Sequence, residues 1–248
     1  MHRRTLLLAA GAAALGGCDG PAPKAEAPPA PPAAPAVSPA PSPSVAPRAL
    51  PAEVANGPRD APAVALTFHG QGEPGVVGGL LDALVAAHTK VTVLAVGVWL
   101  QQQPELAKRV LDDGHELGNH TLHHADITSM SEAQAFAEID GCATALRAVG
   151  GSIGRWFRPS QTQHSTARIQ TQAARAGYPT CLSYDVDSLD YTDPGADAIV
   201  RTTLQGVRNG SIISLHFGHA GTVAAMPKLL AGLRDRGLRP VTASELLT

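Results

Sequence analysis

Charge is scarce in this chain. Asp, Glu, Lys and Arg make up 16% of its 248 residues, and the net charge is −2 with histidine neutral. Nucleic-acid binding needs a basic stripe that displaces counterions, so this balance excludes nucleic acid as the main partner. Aromatic residues are also few, 4%, which leaves no long stacking platform for bases or sugars. Cysteine numbers three. Only Cys142 and Cys181 lie outside the N-terminal segment, and a disulfide or two buried thiols fit them equally well. The apolar run from Leu6 to Leu15 is too short to span a bilayer as a helix. Histidine, by contrast, is abundant: there are ten.

The first 18 residues have the layout of an export signal. Arg3 and Arg4 precede the apolar run, and small residues follow up to Cys18. Leu15-Gly16-Gly17-Cys18 resembles a bacterial lipobox, which implies lipidation of Cys18 and attachment to the membrane through that lipid. The expectation is an exported lipoprotein facing the cell envelope or exterior. An ordinary signal peptide with an incidental cysteine is the alternative, and Sec and Tat export both remain open. Residues 19–60 hold 13 of the 21 prolines and a dozen alanines, with no hydrophobic period. Such a segment cannot bury enough apolar surface to offset its ordering entropy, so a disordered tether is expected there.

Residues 61–248 suffice for one sizeable core. Strand and helix patterns alternate: strands at Ala63–Phe68, Lys90–Val96, His115–Asn119, Arg155–Arg158, Thr180–Val186, Ser211–His216 and Leu238–Val241. Helices are expected at Val76–His88, Pro104–Asp113, Ser131–Val149, Thr166–Ala176, Gly195–Val207 and Thr222–Arg236, with a short one at the C-terminus. Ser131 reads as an N-cap. The alternation predicts parallel strands in an α/β fold, as a barrel or a doubly wound sheet. His69, His120, His123, His124, Arg158, Asp187, Asp190 and His216 all fall at the C-terminal ends of predicted strands. In a barrel those ends surround one mouth, so convergence favours a closed or nearly closed barrel.

Four segments carry a family resemblance. His120-Thr121-Leu122-His123-His124 fits H-[S/T]-x-x-H, and Phe157-Arg158-Pro159 resembles the start of R-P-P-Y-G. Asp187-Ser188-Leu189-Asp190-Tyr191 resembles D-x-x-D-W, and Ser211 to His216 resembles a late strand ending in a catalytic histidine. In order and spacing these resemble the polysaccharide deacetylase family, the NodB-homology domain of carbohydrate esterase family 4. The resemblance covers about residues 61–248 and implies a distorted (β/α) barrel. It also implies metal-assisted deacetylation of an N-acetylated glycan, with peptidoglycan suggested by the export signal and tether. The implied residues are His120 and His124 as metal ligands and His216 as general acid. Asp190 or Asp187 would tune His216, with Asp190 favoured, and the backbone N–H of Gln161 would serve the oxyanion. A monomer is expected.

The first motif departs from the family. Where members carry T-F-D-D-G, this chain reads Thr67-Phe68-His69-Gly70-Gln71, so the base and one metal ligand are both missing. A catalytic zinc site needs three protein ligands and an open position. His69 is the favoured third ligand, if the strand end can re-aim it, because two histidines hold zinc poorly, and the alternative is a base beside Arg158. Gln71 and Glu73 are weaker ligand candidates. Three functions stay open: an N-deacetylase, an O-acetyl esterase, and a degenerate glycan- or metal-binding pseudoenzyme. Trp99, Trp156 and Tyr191 could offer a small sugar-contact surface. His219 is placed at the mouth, while His115 reads as structural and His88, His123 and His164 as solvated or surface residues.

Overall fold

The computed structural model describes residues 50–248. The signal segment 1–18, Cys18 and the tether before residue 50 lie outside the described residues. Residues 50–60, expected to be tether, are built into the domain. Strand β1 (Glu53–Val54) pairs in parallel with β5 (Cys181–Leu182). Arg59 Nη2 then donates to Asp185 at 2.6 Å, and Gly57 N–H donates to Gly210 O at 2.7 Å. Two prolines in this stretch mask its backbone pairing in a reading based on composition.

The centre is β2 (Ala63–Gly70), flanked by β3 (Thr92–Ala95) and β7 (Ile212–His216). The sheet order is β4-β3-β2-β7-β6, with β4 at Glu116–Asn119 and β6 at Val186–Asp187; β8 (Arg239–Val241) pairs with the start of β2. All these pairs are parallel, as the alternation predicts. Phe157 bridges Asn119 and Cys181 and so links β4 towards β5. Among the described residues no ladder joins β5 to β6, so the α/β fold stands but a closed ring of hydrogen bonds does not follow from it.

The expected strand over 180–186 is broken in two. The Asp185 carboxylate accepts from Ile212 N–H at 2.8 Å and from Arg59, which pulls the chain out of the pleat. The expected strand at 155–158 reduces to the bridges of Phe157. Helices cover the outside: α1 (Pro74–Ala86), α2 (Gly97–Gln102), α3 (Pro104–Asp112), α4 (Glu132–Gly150), α5 (Ala167–Arg175), α6 (Ala196–Gly206), α7 (Ala220–Asp235) and α8 (Ala243–Leu246). Ser131 caps α4 in a capping box with Gln134, and Gly151, at φ 72°, ends it in the left-handed conformation. Helix α2 was not expected; its six residues are too few to show a period.

Period-two alternation places the site. Along β2, Val64, Leu66 and Phe68 belong to the main apolar core with Leu80, Leu81 and Leu229 of the helices. Ala65 belongs instead to a second cluster with Leu94, Trp156, Leu182 and Ile212. Thr67 and His69 follow on that same face, as do Ser214 and His216 after Ile212 on β7. The inner face therefore runs from apolar residues through Thr67, Ser214 and Arg158 to the histidines at the strand ends. Trp99 and Trp156 are buried, so neither forms a sugar-contact surface. Cys142 and Cys181 are free, buried thiols.

Candidate metal and catalytic site

His69 comes from the end of β2, His120 and His124 from the loop after β4, and His216 from the end of β7. The first three form a cluster in which one possible ligand atom from each lies within 4.8 Å of the others. No re-aiming of β2 is needed. The strand continues through Gly70, and a Cβ on Gly70 would stand 2.6 Å from Val93 Cγ1. Residue 70 thus faces the core, while residue 69 already faces the cleft and its imidazole is long enough to reach the others.

Nδ1 of His120 and the carbonyl oxygen of Arg158 are 2.9 Å apart. With its proton on that nitrogen, the ring directs the Nε2 lone pair at the cluster, as a metal-ligating histidine requires. His69 Nδ1 faces that Nε2 at 2.9 Å. Two nitrogens sharing one zinc stand roughly 3.3 Å apart, so these rings are hydrogen-bonded to each other as they stand. His69 Nε2 points the other way, to Ser214 Oγ at 3.1 Å and Arg158 Nη1 at 3.3 Å.

Burial, with the charges of His120 and Arg158 beside it, holds His69 well below the ordinary imidazole range. Burial and His124 do the same to His120, against the opposing bond to Arg158. Burial and His216 lower His124. All three rings are therefore neutral near pH 7, the form in which imidazole binds metal. Arg158 is fully buried, with its pKa lowered to about 10 by burial. Its guanidinium is anchored by Leu182 O at 2.9 Å, Ser183 O at 3.2 Å and Thr67 Oγ1 at 2.8 Å.

His216 stacks on His69 with ring centres 4.3 Å apart. Asp190 grips it twice: Oδ1 meets the ring Nδ1 at 2.7 Å, and Oδ2 accepts from its backbone N–H at 2.8 Å. Thr222 also donates to Oδ2, at 2.6 Å. Burial alone would raise the Asp190 carboxyl, but the bonds from His216 and Thr222 outweigh it and leave it below its ordinary value. Asp187 instead accepts from Leu189 N–H at 3.0 Å, the strand-end cap pattern, while lining the cleft.

The cleft has a volume of about 380 Å³ and is lined by His69, His124, Gln161, Tyr184, Asp187, Tyr191 and His216. Four of its framing residues, Thr121, His124, Gln161 and Leu189, hold left-handed φ between 56° and 66°. Each is pinned by a side-chain bond. Asn119 Oδ1 accepts from Thr121 N–H, and Thr121 Oγ1 from His124 N–H. Gln161 Nε2 donates to His124 O, and Asp187 holds Leu189. Strain held in place this way is a mark of functional loops. His120 and His124 are brought together by this turn, without a helix.

Other expectations sort plainly. Tyr191 is exposed and packs edge-on to His216 at 5.3 Å. His219 lies near the mouth, 5.9 Å from the His216 ring and paired with Asp193. His123 pairs with Glu138 and His164 with Glu53 at the surface. Neither Gln71 nor Glu73 joins the histidine cluster among the described residues. Sequence reading missed Tyr184, Thr222 and Ser214. For Ser214 the signal was available: it is a hydroxyl two residues before His216 in an otherwise apolar strand.

A profile of the polysaccharide deacetylase family matches residues 56–181. The chain is 34% identical over 195 residues to a peptidoglycan-N-acetylglucosamine deacetylase of Bacillus cereus, covering 77% of this chain and 90% of that one. A family 4 carbohydrate esterase from Streptomyces lividans, solved with acetate, is similar in structure, with TM-score 0.67 and 30% identity over 75% of this chain and 93% of that one. A family 4 pseudoenzyme from Bacillus anthracis shares the fold at TM-score 0.76 and 22% identity, covering 81% and 70%.

Proposed function

Because the chain belongs to the polysaccharide deacetylase family, we propose that it is an exported, lipid-anchored, metal-dependent hydrolase that removes acetyl groups from an N-acetylated glycan. Peptidoglycan is the favoured substrate, on the strength of the Bacillus cereus relative. The observation that carries this reading is the convergence of three neutral imidazoles beside the His216–Asp190 pair. Three nitrogen ligands with an open position suit zinc, and His69, His120 and His124 would hold it.

When bound, such a metal supplies Lewis acidity to the acetyl carbonyl and to a water. The rest falls to the chain's own groups. His216 donates from Nε2 to the departing amine, and Asp190 on Nδ1 keeps the ring oriented. Gln161 offers its backbone N–H to the oxyanion from the cleft wall. With His69 in the ligand role, the family's base position holds no carboxylate. Asp187, the carboxylate lining the cleft, is the base in this reading. Arg158 anchors the inner layer beneath His69 through Thr67 Oγ1 and the carbonyls of Leu182 and Ser183.

A second reading is favoured by one observation: His69-Gly70 stands where the family carries its two aspartates. This is the glycan-binding protein without turnover. Both are tested by measuring the metal content of the purified chain, and acetate release from N-acetyl chitooligosaccharide, peptidoglycan fragments and an O-acetyl ester. Metal in the wild type, none in His120→Ala/His124→Ala, and acetate from the N-acetyl substrates uphold the hydrolase. Release from the ester alone moves the activity to O-acetyl groups. Glycan binding without release of acetate from any substrate upholds the second reading, and absence of metal from the wild type overturns the metal site. Lipidation at Cys18 is checked by labelled fatty-acid incorporation that Cys18→Ser abolishes.

A further inference from the structure

A neutral imidazole carries one proton on its two nitrogens. In the cluster, His69 Nδ1 faces His120 Nε2 at 2.9 Å. To ligate through Nδ1, His69 must offer a lone pair there, so its proton must sit on Nε2. That N–H points away from the cleft, towards the buried Arg158 and Ser214, and needs an acceptor there, because an unmade bond on a buried polar group costs about 1–3 kcal/mol.

Among the described residues, two groups stand within hydrogen-bond distance of His69 Nε2: Arg158 Nη1 at 3.3 Å and Ser214 Oγ at 3.1 Å. A guanidinium can only donate, so Arg158 opposes a proton on Nε2, whereas a hydroxyl can donate or accept by rotating. Ser214 is only 1% exposed, between Ile213 and Leu215 on β7. A lone hydroxyl in such a place is unfavourable unless it has a partner. Its partner is set by register: Thr67 pairs with Ser214 and His69 with His216. Ser214 and His216, two residues apart, therefore share the face that looks into the cleft.

We propose that Ser214 is the positioning residue that makes His69 a metal ligand, accepting the Nε2 proton so that Nδ1 is free for a divalent cation. Without metal, the same hydroxyl donates to Nε2, as Arg158 does, and the Nδ1 proton goes to His120. Ser214 is thus the switchable contact between the two tautomers. This rests on the reading of His69, His120 and His124 as the metal site.

The test is zinc affinity of the full chain by chelator competition, repeated with cobalt to follow its ligand-field spectrum. Ser214→Ala is expected to weaken zinc binding about 10–100-fold, the usual effect of removing a ligand's hydrogen-bond partner. Ser214→Cys, with a weak acceptor of similar size, is expected to weaken it comparably, and Ser214→Thr to restore it to within about 3-fold. Thermal midpoints of the metal-free variants should match wild type, which separates a lost ligand partner from a damaged fold. If Ala is insoluble, Cys and Thr alone decide the matter. Affinities for Ala and Cys within about 3-fold of wild type, alongside tight wild-type binding, overturn the role of Ser214 and leave the metal site standing. A wild type that binds no zinc or cobalt overturns both.

Discussion

Strand β4 has a buried histidine at each end, and the two have opposite fates. His120, just past its C-terminal end, is fully buried, and each ring nitrogen has a partner: Arg158 O and His69 Nδ1, both at 2.9 Å. His115, just before its N-terminal end, is 5% exposed, and neither of its nitrogens has a hydrogen-bond partner among the described residues. Burial pushes both below the ordinary imidazole range. For His115, burial and the nearby Lys90 bring the pKa down to about 4. Neutrality is thus a general consequence of burial and marks no function. The difference is that His120 has its proton fixed on one nitrogen and its lone pair aimed at two other imidazoles. A site consists of that convergence.

The comparison breaks most easily at the metal. His120→Ala is expected to weaken zinc affinity by at least about three orders of magnitude, since two imidazoles hold zinc poorly. His115→Leu should leave it unchanged; equal losses by equilibrium dialysis would erase the distinction between the two ends. Next, Asp190→Asn should keep the metal but slow acetate release about 10²–10⁴-fold. Unchanged kinetics there would remove His216–Asp190 from the chemistry.

At the opposite end the expected effect is on stability. The folded-state pKa of His115 is depressed, so between about 6.5 and about 4 the unfolded chain binds the proton first. Stability is present above that window and declines as pH falls through it. His115→Leu should flatten that part of the profile and add about 1–3 kcal/mol by removing unsatisfied nitrogens. A profile unaltered by the substitution, followed by denaturant titration, would assign the decline to another group. The smallest effect belongs to the cleft wall. Gln161→Gly keeps the backbone N–H and tolerates φ 57°, so acetate release should change by less than about 3-fold. A larger loss would mean that the side-chain bond to His124 O matters more than the N–H.

Legibility in the sequence followed the range of the interactions. Helix α4 was readable because its signals are local: Ser131, Gln134 and Gly151 act within a few residues of the ends they define. The strands β2 and β7 were readable because apolar runs of that length bury on both faces. Residues 50–60 were misread because their hydrogen bonds go to positions more than a hundred residues away, among them Asn209 and Asp185. The break at Asp185 has the same origin. Within the site, His69, His120, His124 and His216 could be named from motif order. The hold of Asp190 on His216, and its separation from the cap at Asp187, depended on which carboxylate the 187–193 turn carries inward.

The amino-acid order alone settled the alternating architecture and the set of histidines delivered to the strand ends, because periodicity and strand-end position are properties of a chain read along its length, and the order of four motifs carried the family resemblance. Only the tertiary structure decided that residue 69 faces the cleft while residue 70 faces Val93, that Arg158 and Ser214 meet on one nitrogen of His69, and that His115 finds no partner among the described residues. Those outcomes depend on register between strands far apart in sequence, where a shift of one residue turns every side chain to the other face.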